Sequence, residues 1–251
     1  PQLGAPIGFI LSGGVFLLLG NILTEEQFFA WGWRVPFLFS ALLVLMGLWM
    51  RLKLTETPAF QKVLNSKKEA KVPFKQVVLE HPKTLILGIV AGICTFVVFY
   101  LTTVFAMAWG TTKLGYSRNE FIIMELIATL FFALFIPLSA VMAEKFGRKN
   151  SSVFICVLAA LFGLTFNPLL GSGNMMGVLL FLCLGMAIMG LTYGPIGTVL
   201  SEILPTSVRH TGSALTFNSA DIFGASFAPF IPTSLATDYV SGAVGLYLSE
   251  A

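Results

Sequence analysis

The chain has 251 residues, of which 56% are apolar and only 11% charged, and its formal net charge is +3. Soluble domains carry roughly 25% charged residues, so fifteen Lys and Arg with twelve Asp and Glu are too few to cover a soluble globule of this length. These values exclude an ordinary soluble enzyme, a nucleic-acid-binding module and a disordered chain, and they leave an all-α, polytopic transmembrane helical bundle.

Seven apolar runs follow one another, at residues 4–23, 35–50, 84–108, 121–142, 152–170, 175–200 and 213–237. A helix needs about 20 apolar residues to cross the hydrocarbon core at ~1.5 Å rise per residue. The runs are continuous rather than alternating, which excludes the strands of a membrane barrel. The second run is the shortest, and Trp33, Trp49 and Arg51 anchor its ends at the interface. Pro1 stands where a Met would open a gene product, and residues 242–248 begin another apolar stretch. The sequence therefore reads as an internal piece of a longer protein.

The connections alternate in charge. Loops 51–83, 143–151 and 201–212 hold eight, three and one Lys or Arg, whereas loops 24–34, 109–120, 171–174 and 238–241 hold one, two, none and none. Cations stay in the cytoplasm during insertion, so the first set lies inside and the chain starts on the cytoplasmic side. Loop 51–83 is the only long connection. Thr57-Pro58 has the form of a helix start, and Phe60, Val63 and Leu64, like Phe74, Val77 and Val78, share a face. Two short amphipathic helices on the membrane surface and a solvated basic linker are both open readings. The segment divides the chain into residues 1–50, with two spans, and residues 84–251, with five.

Two loops carry recognisable patterns. Ala140-Val-Met-Ala-Glu144-Lys145-Phe-Gly147-Arg148-Lys149 packs an acid, a turn-permitting Gly and three cations between two spans. It resembles the G-x-x-x-D-R-x-G-R-K motif of the major facilitator superfamily, with Ala140 for the usual Gly and Glu144 for the usual Asp. Ser201-Glu202-Ile203-Leu204-Pro205, followed by Arg209 and Gly212, resembles the E-x-x-P-x-x-x-R-x-x-G element of the same superfamily. Pro205 should end one helix and Gly212 open the next, with Arg209 bonding either Glu202 or free carbonyls at the helix end.

Trp31-Gly-Trp33-Arg34-Val-Pro36-Phe37, Glu56-Thr57-Pro58-Ala-Phe60 and Phe166-Asn167-Pro168-Leu-Leu-Gly171 resemble the metabolite:proton symporter branch, which holds carriers of proline/betaine, 2-oxoglutarate and shikimate. The resemblance implies helices 5 to 11 of twelve plus a stub of the twelfth. Residues 1–50 would then belong to the N-terminal half, 51–83 to the cytoplasmic loop between halves and 84–251 to the C-terminal half. It implies proton-coupled symport of a small carboxylate or betaine by alternating access in the bacterial inner membrane. The implied partners are a small-molecule substrate, protons and the bilayer, with no cofactor, metal or nucleic acid, and a monomer at full length. It also implies that Glu144 approaches the start of the first span, near Gln2–Gly4, when the inner gate closes.

Few polar groups lie inside the spans. Asp221, about 14 Å along a helix from Gly212, is the candidate for proton or substrate coupling, because an intramembrane carboxylate is costly. Its other reading is a neutral Asp bonded to a neighbouring helix. Asn218 shares its face and could orient it. Glu125 lies about a turn inside Phe121, where snorkelling outward is the favoured reading. Tyr100, Thr192 and Tyr193 could face the pathway or pack. Gly4 with Gly8 and Gly190 with Gly194 have the spacing of close helix contacts. Pro137, Pro168, Pro195, Pro229 and Pro232 should kink or end helices.

A seven-span signalling receptor is opposed by the inferred orientation and by the absence of its helix 7 Tyr after Asn167-Pro168. A membrane-embedded enzyme is opposed by the placement of His81 and His210 in loops and of Cys94, Cys156 and Cys183 in apolar runs. The charge split predicts labelling by impermeant thiol reagents. Cysteines introduced at Ser66 and Asn150 should react only from the cytoplasmic side and one at Ser117 only from outside; reaction of the Ser66 and Ser117 variants from the same side would overturn the map.

Overall fold

The computed structural model describes residues 2–53, 73–205 and 208–238. Among them there is helix and no strand. Seven long helices coincide with the seven apolar runs: α1 (Gly4–Ile22), α3 (Val35–Lys53), α5 (Pro82–Tyr100, continued by a π-helical turn Leu101–Phe105 into Ala106–Thr112), α6 (Arg118–Phe146), α7 (Arg148–Leu164, followed by a π-helical turn Phe166–Leu170), α8 (Met175–Ile203) and α9 (Arg209–Asp238). Two short helices join them, α2 (Glu25–Ala30) and α4 (Pro73–Glu80). Five of the long helices are sufficiently long and apolar on their own to cross a bilayer. The exceptions are α7, whose first turn is the polar Arg148-Lys-Asn-Ser-Ser, and α9, which carries Asn218 and Asp221.

The boundaries follow local chemistry. Thr24 with Gln27, and Ser117 with Glu120, form reciprocal capping boxes at the starts of α2 and α6. Asn174 caps α8, and Pro82 occupies the first position of α5. Gly147 turns the chain between α6 and α7 with φ +80°, a conformation a side chain resists. Pro205 follows the end of α8 as expected. Gly212 does not open α9: the helix begins at Arg209, and the Gly212 amide already donates to the Val208 carbonyl at 2.8 Å. Its missing Cβ leaves room for Leu204. Pro137, Pro195, Pro229 and Pro232 lie within continuous helices, whereas Pro168 falls in a π turn, where its missing N–H shifts the ladder.

The core lies between α5, α6, α7 and α8. Leu101, Phe121, Phe166, Phe181, Leu182 and Met186 are fully buried there. α6 and α8 pack along most of their length. A Cβ on Gly190 would come within 2.7 Å of the Phe132 carbonyl oxygen and 2.8 Å of Phe135 Cβ, and one on Gly194 would collide with Ser139. The second small-residue pair behaves as its spacing predicts; around Gly4 and Gly8 there is open space. α9 lies along α5 through Phe96 against Phe217, with ring centroids 5.0 Å apart. α1 lies along α6, with Leu126 at Gly13 and Asn119 at Gly20. α3 presents a run of exposed apolar side chains, Phe37, Leu38 and Leu52 among them.

α4 differs from a helix lying free on a surface: Val77 is fully buried, because the helix packs against α9 and the start of α5. Phe74 and Val78 of the same predicted face remain exposed. The expected helix at Thr57-Pro58 with Phe60, Val63 and Leu64, the labelling position Ser66, and the apolar stretch 242–248 lie outside the described residues.

Gly190→Ala should lower the stability of the detergent-solubilised protein by about 1–3 kcal/mol, since the new methyl meets backbone that cannot retreat. Gly4→Ala should lie within about 0.5 kcal/mol of wild type. Thermal unfolding monitored by intrinsic fluorescence checks both.

Candidate functional site

α5 positions the polar groups of the spans on two faces. On one, the Tyr100 hydroxyl donates to Asp221 Oδ1 of α9 at 3.1 Å. The two side chains are half-buried, and the bond is flanked by the Phe96–Phe217 contact. Tyr100 immediately precedes the π turn Leu101–Phe105. In that turn Thr102 and Thr103 donate to the carbonyls of Val98 and Phe99 at 2.8 and 2.7 Å, so their hydroxyls are satisfied within the helix. Asn218 does not orient Asp221: its side-chain amide donates to the Ala214 carbonyl of its own helix at 2.7 Å.

On the other face, α5 lines a cavity of about 480 Å³ with Phe99, Thr103, Met107 and Thr111. Phe9 of α1 and Glu125 of α6 complete it. The Phe9 and Phe99 rings meet edge to face, with centroids 6.1 Å apart. Glu125 is only 5% exposed, and its Oε1 has no hydrogen-bond partner. The snorkelling expectation therefore fails. Glu125 is one turn from Phe121 and one turn from Ala128 and Thr129, all buried, so it lies on the inward stripe of α6 and cannot reach the interface. That periodicity is the sequence signal that distance from the helix end obscured.

The remaining candidates separate. Thr192 Oγ donates to the Met189 carbonyl at 3.0 Å. Tyr193 packs between Phe132 and Phe217, at 5.6 and 6.2 Å between centroids. In the loop between α6 and α7, Glu144, Lys145, Arg148 and Lys149 are exposed, and the Lys145 ammonium lies over the Phe146 ring. Among the described residues Glu144 makes no hydrogen bond, so the expected contact with Gln2–Gly4 is not formed; Gln2 lies against Gly197 of α8 instead. Arg209 Nε donates to the Leu204 carbonyl at 3.4 Å, the helix-end alternative of its two expected partners. The Glu202 side chain lies outside the described residues.

Sequence reasoning missed a polar clasp at the opposite end of α1. Asn119 of α6 donates its side-chain amide to Asn21 of α1 at 3.2 Å, and the Arg118 guanidinium lies 5.1 Å from the centre of the Phe28 ring. The signal was present as Asn21 and Asn119 at the ends of two spans, without any pattern to pair them. Among the described residues no three His, Cys, Asp or Glu side chains come together as a metal set.

The described residues thus form a helical membrane bundle with a cavity between α1, α5 and α6 that one buried acid lines, and an interhelical Tyr–Asp bond on another face of α5. The chain belongs to the Major Facilitator Superfamily, whose family model matches residues 2–229. It is 48% identical over 254 residues to the inner membrane metabolite transport protein YhjE of Escherichia coli (strain K12), covering 99% of this chain and 58% of that protein. It is 29% identical to the shikimate transporter of the same organism, over 98% of this chain and 58% of that one. With the proline/betaine transporter of Salmonella typhimurium it shares 30% identity over 86% of this chain and 45% of the relative. The chain thus spans about half the length of these relatives, between 45% and 58%. Its fold matches the crystal structure of a D-xylose-proton symporter with a TM-score of 0.61 at 19% identity, covering 99% of this chain and 60% of that one. These relatives are named as transporters, and the receptor and membrane-enzyme readings are set aside.

The clasp predicts a lock. Cysteines at Asn21 and Asn119, in a background lacking the native thiols, should be bridged by a short bis-thiol reagent. If the clasp opens during turnover, holding nine molecules in ten closed should slow solute uptake about tenfold, reversibly on reduction. Unimpaired uptake after complete cross-linking would show that α1 and α6 do not separate there.

Proposed function

We propose that the protein is a proton-coupled symporter of a small metabolite in the bacterial inner membrane, working by alternating access between the half containing α1 and α3 and the half containing α5 to α9. Its start and the 51–83 connection face the cytoplasm in this reading. The observation that carries it is the Tyr100–Asp221 bond. An ionised Asp221 accepts from Tyr100; a protonated one is a weaker acceptor, since a bond to a charged group is about twice as strong as one between neutral groups. Proton uptake would thereby loosen α9 from α5, the helix whose adjacent face lines the cavity, with the Tyr100 and Phe99 rings in contact at 5.4 Å between centroids. The names of the relatives and the proton symporter fold support the same reading.

The loops fit supporting roles. Gly147 and the cations Lys145, Arg148 and Lys149 would hold the α6–α7 turn in the cytoplasm, with Glu144 free to meet α1 in another stage of the cycle. Arg209, tied to the end of α8, would couple α8 and α9, with Glu202, Pro205 and Gly212 shaping that corner.

Asp221→Asn keeps an acceptor for Tyr100 and removes the titrating proton. In proteoliposomes the variant should lose accumulation driven by a proton gradient while retaining exchange of labelled for unlabelled solute, which needs no net proton movement. Accumulation at the wild-type level in the variant would make Asp221 a packing residue and place coupling elsewhere.

A further inference from the structure

α5 and α9 meet through two reciprocal notches that bracket Asp221. On α5, Gly92 leaves room for Ala220: a Cβ built on Gly92 would lie 2.8 Å from the Ala220 Cβ. On α9, Gly224 leaves room for Phe96: a Cβ on Gly224 would collide with the Phe96 Cβ and come within 3.2 Å of the backbone of Phe96 and Val97. Gly92, Phe96, Ala220 and Gly224 are all buried. Both contacts step by four residues on each helix, so α5 and α9 run parallel in one register. Tyr100 is the next step along α5. Helix side chains lean towards their own N-terminus, and its ring reaches back to the level of Asp221. The bond joins a rigid phenol to the shortest acidic side chain, so neither partner can extend across a wider gap. Ordinary contact begins at 3.4 Å, and a methyl at either notch therefore drives the helices apart by more than half an ångström. That carries the 3.1 Å bond past about 3.6 Å, where no hydrogen bond remains.

We propose that Gly92, Ala220 and Gly224 are positioning residues for proton coupling: they set the separation of α5 and α9 at which Tyr100 can hold an ionised Asp221. The inference rests on the coupling reading for its purpose, and on the two notches for its geometry. Among the described residues, the other ionisable groups on the elements packed against α9 stand apart from Asp221. Tyr193 of α8 meets Phe217, one turn before Asp221, with ring centroids 6.2 Å apart. Lys75 and Glu80 of α4 are exposed. Cys94, two residues on from Gly92, lies on the opposite face of α5 and interacts electrostatically with Cys156 of α7. On α9 itself, Arg209 and His210 lie about three turns before Asp221. Tyr100 is the ionisable group that bonds to Asp221, and the notches govern whether it can.

The test titrates the purified protein in lipid, with the proton as its probe. Infrared difference spectroscopy against pH reads the carbonyl stretch of a protonated carboxyl, and the band missing in Asp221→Asn is that of Asp221. Tyr100→Phe should move the midpoint of this band by about one to two pH units, the equivalent of one hydrogen bond to a charged group. Gly224→Ala and Gly92→Ala should each move it in the same sense, and neither should move it further in a Tyr100→Phe background. Combining Gly92→Ala with Ala220→Gly carries the methyl across the contact and should restore the wild-type midpoint. Gly47→Ala of α3, whose methyl meets open space, should leave it in place. Should Gly224→Ala fail to fold, Gly92→Ala and its rescue still decide. Unmoved midpoints in the glycine variants, equal shifts with and without Tyr100, or no rescue by Ala220→Gly would each overturn the inference, because a glycine with a packing role alone changes thermal stability and not this midpoint. Solute accumulation in proteoliposomes separates the two readings. The expected midpoints with wild-type accumulation in Asp221→Asn overturn the coupling proposal alone, and unmoved midpoints with accumulation lost in Asp221→Asn overturn the positioning alone.

Discussion

The approach of α6 to α8 governs what the other helices can do. At Gly190 and Gly194 there is no space for a side chain, so backbone meets backbone and the two helices cannot roll against each other. Fixing the roll of α6 fixes which of its residues look inward. Phe121, Met124, Ala128, Phe132 and Ile136 turn towards the core, and Glu125 is carried with them. The carboxyl group is buried there because its helix is pinned by a contact two to four turns away, not because anything at its own position welcomes it.

Around that pinned pair, the apolar interior imposes strict satisfaction of polar groups. The hydroxyls of Thr102, Thr103, Thr129 and Thr216 return to carbonyls one turn back, the cheapest solution available to a helix without water. Tyr100 and Asp221 satisfy each other across two helices. Among the described residues Trp109, Glu125 and Ser213 each keep a buried polar atom unpaired. For Trp109 the surroundings are aromatic, with Phe105 stacked on its ring and Phe166 at its edge. Glu125 lines a cavity, from which that oxygen is sealed.

The seven helices, their order and the tight turn at Gly147 were legible in the sequence, because apolar length and positive-φ glycine are local properties. So was the family, through loop residues whose types are constrained by turns. The placement of Glu125 was not. Distance from Phe121 suggested escape to the interface, and only the inward stripe on α6 shows that escape is blocked. Asn218 failed in the opposite way: sharing a face with Asp221 is necessary for contact, yet its amide found a carbonyl four residues back. The Asn21–Asn119 clasp depends on how two distant helices meet, which no local pattern encodes. Arg209 was left with two partners in the sequence, and the corner between α8 and α9 selects the carbonyl.

The π turn at Leu101–Phe105 has a geometric effect on the wall of α5. Phe99, Thr103, Met107 and Thr111 are spaced by four residues. In an uninterrupted α-helix each step of four overshoots a full turn by about 40°, so the set would fan out by about 120° from first to last. One residue of extra winding in the π turn takes back about 100° of that drift. The four side chains therefore stand nearly in file, and together they form a straight wall rather than a spiral. Rewinding the turn as regular α-helix with the same residues would fan those four side chains over about a third of the helix circumference. The shape of the cavity is thus stored in the winding of that segment as much as in the identity of its residues.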